Sequence, residues 1–131
     1  MSTLVNLDQI RAAHAADAAE KILTARGSDG DQLSGYHSLI ITNGLLTTLA
    51  YSADKGRSMG EHVAIASALV KHLADLQRRK LFPGTPLSEN NLLQAIRDLS
   101  VLYSPQTLSA MTDECMAYLN YLKRFVRAIK S

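Results

Sequence analysis

No proline or glycine follows Pro105, and from there to Ser131 the apolar residues recur at steps of three and four. Leu108, Met111, Cys115, Leu119, Leu122, Val126 and Ile129 therefore share one stripe of an α-helix, and Tyr118, Tyr121 and Phe125 widen it. A face this broad suits a helix packed against several neighbours rather than one resting on a surface. Ser104 supplies a cap, and Pro105 takes the first helical position, where a missing N–H costs nothing. At ~1.5 Å per residue the helix is roughly 40 Å long, the spine of a bundle.

Upstream, turn residues break the chain only between periodic segments. A first, alanine-dense helix runs from Leu4 or Leu7 to Arg26, capped by Asp8 or Asn6, and the linker RGSDGDQLSG ends it. A second covers Leu33 to Thr42, where Asn43-Gly44 offers the residue types that accept left-handed backbone at a helix end. A third spans Leu45 to Ala53, and SADKGRS turns the chain. A fourth, Met59 to Leu81, aligns Ile65, Leu69, Leu73 and Leu76 and is stopped by FPGTP. A fifth begins after Ser88 as cap and carries Leu92, Leu93, Ile96 and Leu99. The pattern predicts an all-α, compact single-domain bundle of about six helices, residues 1–131, with a long central C-terminal helix. Composition agrees: 47% of residues are hydrophobic but only 5% aromatic, with no Trp, which is unlike a sheet protein.

Motifs of chemistry are missing. One cysteine, Cys115, cannot make an internal disulfide, and MSTLVNLDQIRAA lacks the basic start and apolar run of a signal peptide, so a cytoplasmic setting is expected. No apolar run approaches the roughly 20 residues that span a bilayer. His14, His37, His62 and His72 show neither the i, i+4 pair of a zinc protease nor cysteine partners, which points to ordinary helical or surface histidines and no metal. Asp29, Gly30 and Asp31 start like a calcium loop, but Ser34 and Ile40 occupy its turn and bidentate positions. Phosphate loops, nucleophile elbows and dinucleotide fingerprints do not occur, so neither catalysis nor a cofactor is expected. Asp17 with Glu20, and Asp113 with Glu114, read as solvated or helix-dipole charges.

Net charge is only +2, yet it is unevenly placed. Residues 61–131 hold nine Lys or Arg against six acids, whereas residues 1–60 hold five against six. Lys123, Arg124, Arg127 and Lys130 close the chain with no acid after Glu114. Arg78, Arg79 and Lys80 end the fourth helix, and Lys55 with Arg57 make a smaller pair. Cations at helix C-termini are also favoured structurally, by about 0.3 to 1 kcal/mol. As nucleic-acid contacts they would bind phosphates and read no sequence.

Two segments carry a family resemblance. In SLIITNGLLTTLAYSADK these are Asn43, Gly44, Leu45, Thr48, Leu49, Ala50 and Lys55; in the last helix they are Tyr121, Leu122, Lys123, Arg124 and Phe125. Their order and spacing resemble the small all-helical subunit of the type III-B (Cmr) CRISPR effector complex. Tyr121 and Leu46 stand where that family often has Trp and Gly. The resemblance implies a non-catalytic structural subunit that stacks with copies of itself into a short filament beside the backbone subunits. It would support the guide RNA–target RNA duplex in antiviral defence, with Lys55, Arg57, Lys123, Arg124, Arg127 and Lys130 as the nucleic-acid contacts. Base pairing with the guide would read sequence. The alternatives are a helical protein-interaction adaptor without RNA contact, and the small subunit of a type III-A complex.

Overall fold

The computed structural model describes residues 6–25, 31–55 and 60–130. Six helices form there and no strand: α1 (Leu7–Thr24), α2 (Asp31–Asn43), α3 (Leu45–Lys55), α4 (Gly60–Arg78), α5 (Leu92–Val101) and α6 (Pro105–Lys130). They take up 84% of the described residues. Leu4, Arg26, Asp29, Gly30, Arg57 and Met59, on which expectations fell, lie outside them.

Each boundary has a local cause. Asn6 rather than Asp8 caps α1, because its extended backbone lets Oδ1 accept the Gln9 N–H at 3.2 Å. Gly44 (φ +84°) donates its N–H to the Ile40 carbonyl at 2.7 Å and accepts from the Thr48 N–H at 3.1 Å, so one residue closes α2 and opens α3. Helix α4 stops at Arg78, short of the expected Leu81. Lys80 turns left-handed (φ 65°), its N–H reaches the Gln77 carbonyl at 3.0 Å, and the Leu81 N–H reaches Leu76 at 2.8 Å. That pair of bonds is a Schellman motif with lysine where glycine is usual. Helix α5 begins at Leu92, not directly after Ser88, because Asn91 is the cap, its Oδ1 accepting from the Gln94 N–H at 3.0 Å. Ser104 caps α6 as expected, its Oγ accepting from the Thr107 N–H at 3.1 Å.

The helices close around one cluster of buried side chains that includes Ile22, Leu33, Tyr36, Leu49, Leu69, Leu73, Leu99, Met111, Leu119 and Leu122. The longest helix, α6, lies against α1, α2 and α4, while α4 touches all five other helices. Arg11 meets Glu114, and Asp8 meets Tyr121, so α1 runs antiparallel to α6. Ala15 and Ala19, fully buried, allow close approach on the inner side of α1. Two expected core residues lie outside. Leu93 is 70% exposed because the buried stripe of α5 is Ala95 and Leu99, flanked by Leu92 and Ile96. Ile129 is 46% exposed because α6 runs past the start of α1 and meets only the beginning of α2 there. The segment after α4 is held by Gln77, whose amide donates to the Pro83 carbonyl (3.0 Å) and the Tyr103 hydroxyl (2.7 Å) and accepts from the Leu87 N–H (2.9 Å).

Candidate nucleic-acid interface

The last turns of α6 bring Lys123, Arg127 and Lys130 onto one side, since residues three and four apart are neighbours on a helix. With Asp31, Leu33 and Ser34 of α2 they line a groove of about 220 Å³. Lys130 reaches Asp31 at 3.6 Å, a pair exposed on both sides and of small energetic worth. Lys123 is half-buried, and its pKa is pushed down by burial first and by the Arg127 charge second. Arg124 and Arg127 are exposed, and neither forms an ion pair among the described residues; Arg124 does not line the groove.

The other cations are differently placed. Lys55 ends α3 with its Nζ 5.6 Å from the centre of the Tyr51 ring, and no α3 residue lines the α6 groove. Of the second expected cluster, Arg78, Arg79 and Lys80, the two arginines are engaged at home, Arg79 with Asp75 at 2.7 Å and Arg78 with Glu89 and Asp75, while Lys80 forms no ion pair among the described residues. The four cations after residue 122 thus differ from Arg78 and Arg79 in being largely unneutralised.

A second polar assembly has no counterpart in the sequence reading. Glu114, placed there among solvated charges, is buried at 6% exposure and accepts from Arg11 Nε and Nη2 at 2.7 and 2.6 Å and from His72 Nε2 at 2.8 Å. Burial pushes its carboxyl up, but the hydrogen bonds from Arg11 and His72 outweigh this and hold it at about 2. His72 Nδ1 lies 2.7 Å from His14 Nδ1, and His14 Nε2 lies 3.1 Å from Asp75 Oδ2. The two rings thus sit in line between two carboxylates, Asp75 on the His14 side and Glu114 on the His72 side. Burial first, and the neighbouring His72 ring next, push the His14 pKa down. The His72 ring stacks on Tyr118 at 4.0 Å. No local spacing links residues 11, 14, 72, 75 and 114; only the packing of α1 on α4 and α6 does. Cys115 is fully buried and burial pushes its thiol up, which makes it a poor nucleophile.

Among the described residues no group of three or more His, Cys, Asp or Glu is arranged to hold a metal ion. No helix there is long and apolar enough to cross a membrane. The fold and its charge define a small all-α bundle with a cationic end on its longest helix. The family model described as CRISPR-associated protein (Cas_Cmr5) matches residues 7–129. The chain belongs to that family and is a small subunit of the Cmr, type III-B, CRISPR system. Comparisons with curated proteins and with solved structures give no match.

Proposed function

We propose that this Cmr subunit is a non-catalytic scaffold in its effector complex, acting in the cytoplasm in antiviral defence. It stacks with further copies into a short filament beside the backbone subunits and steadies the guide RNA–target RNA duplex by phosphate contacts. Lys123, Arg124, Arg127 and Lys130 are the principal contacts, with Lys55 and Arg57 a second point. The observation that carries this reading is the clustering of four cations on the last turns of α6 with few carboxylate partners. Arg11, Arg78 and Arg79 are bound to carboxylates, whereas Arg124 and Arg127 have no carboxylate partner among the described residues. An all-helical surface of this kind binds phosphate without reading bases. A scaffold role is supported by the central titratable groups, Arg11, Glu114, His72, His14 and Asp75, being bonded to one another.

Charge reversal of Lys123, Arg124 and Arg127 together, in the assembled complex, tests it. Helical content and subunit stoichiometry should be unchanged, target RNA affinity should fall for every guide, and its salt dependence should flatten because fewer counterions are released. Unchanged affinity at two salt concentrations would make the cluster a helix-end feature only. Incubation of the purified chain with metal ions and with single-stranded or duplex RNA should leave the RNA intact. Cleavage that follows the protein through chromatography and disappears with a point substitution would overturn the non-catalytic assignment.

A further inference from the structure

Between α1 and α4 lies a second cleft, of about 260 Å³, where the small side chains of Ala18, Ala64 and Ala68 leave room. Lys21 enters it from α1 and Lys71 from α4, and Ser67 lies one turn before Lys71 on the same face. Neither lysine forms an ion pair with any described carboxylate, and the Ser67 hydroxyl makes no hydrogen bond among the described residues. The other acids of the cleft are already matched. Asp75 is held by Arg79 and His14, and Glu89 by Arg78, which leaves Asp17 alone against two ammonium groups.

We propose that this cleft is a phosphate-binding site in which Lys21, Lys71 and Ser67 hold the phosphate group of a ligand. Two ammonium groups that line one cleft with neither ion-paired repel, and an anion placed between them turns both contacts attractive. The charged form of Lys71 is disfavoured by burial first and by Lys21 next, with Glu89 offsetting this only in part. The serine hydroxyl adds a neutral donor on the same side. The site is distinct from the α6 groove. Counting along the helices from the Arg11–Glu114 contact at ~1.5 Å per residue, Lys21 and Arg127 lie roughly 35 Å apart, at opposite ends of the α1–α6 pair. The phosphate could belong to a free small molecule or to an RNA backbone, and the two are separable by experiment.

The full chain is titrated with inorganic phosphate, with a nucleoside monophosphate and with a short RNA duplex, at ionic strength held constant with chloride. Tens of millimolar phosphate should raise the thermal midpoint of the native chain by roughly 3 °C. Lys21→Met and Lys71→Met should abolish that rise, and each variant should be at least as stable as the native chain in chloride alone, because the repulsion is gone. Lys21→Gln serves as a second variant, with folding checked by circular dichroism. A response to phosphate or the mononucleotide, with duplex affinity unchanged in Lys71→Met, assigns the site to a small phosphorylated ligand. A several-fold loss of duplex affinity in Lys71→Met assigns it to backbone phosphate. No rise with any probe, an equal rise in the lysine variants, or a rise lost on reversing Lys123, Arg124 and Arg127 would overturn the proposal. The α6 reading stands or falls separately, on that last variant's RNA affinity in the complex.

Discussion

Glu114 joins three helices through one carboxylate, taking two hydrogen bonds from Arg11 of α1 and one from His72 of α4. Its pKa of about 2 lies below the ordinary 4.5, so the unfolded chain takes up a proton before the folded one does. The stability it supplies is whole above pH 4.5 and is lost as pH falls toward 2. His14 acts earlier and in the same direction, because its pKa is depressed below 6.5 and acidification through that value favours the unfolded chain. Urea denaturation at a series of pH values should therefore show stability declining below about pH 6.5 and more steeply below pH 4.5. Glu114→Gln should shrink the steeper phase, leaving the part due to Asp75, whose carboxyl, despite burial, Arg79 also holds below its ordinary value, and Glu114→Ala, which strands Arg11 and His72, should cost about 3 kcal/mol at neutral pH. Lys80 is the opposite case. A side chain in left-handed backbone is strained where glycine is not, so Lys80→Gly should raise stability by about 0.5 to 1 kcal/mol in the same assay.

At the scale of elements, α6 was legible because its signal is local. A stripe repeating every three or four residues over many turns specifies helix whatever surrounds it, and Met111, Cys115, Leu119, Leu122 and Val126 are all buried as expected. Leu122→Ala should cost about 2 to 5 kcal/mol. Ile129→Ala, on the same stripe but past the start of α1 and 46% exposed, should stay within about 0.5 kcal/mol, and measuring both by denaturation checks where the bundle ends. Helix ends were less legible. FPGTP marks where α4 must have stopped, but the left-handed turn comes earlier, at Lys80, a residue type that does not advertise it. Ser88 and Asn91 are both good caps by type, and it is Asn91 whose side chain accepts from a helical N–H, that of Gln94.

For the whole molecule, the salt dependence of RNA binding is the reading to seek. If the α6 cations contact phosphates, binding by the free chain should be weak, indifferent to base sequence and steeply reduced by salt, with the slope falling by nearly one for each contact removed. Filter binding over a salt series measures it, and a flat response would remove the electrostatic role. Periodicity, turn residues and the run of cations after Glu114 determined by themselves the helix count, the buried stripes, the basic end and, through Asn43-Gly44-Leu45 and the Leu122–Phe125 run, the family. Those are properties of residues close in sequence, fixed by helix geometry. The tertiary structure alone decided that Glu114 is buried rather than solvated, that the His14 and His72 rings meet, that Arg78 and Arg79 are neutralised, and that Lys21 and Lys71 line one cleft. The reason is physical: burial and charge pairing depend on which helix faces meet, and the partners lie up to 103 residues apart along the chain.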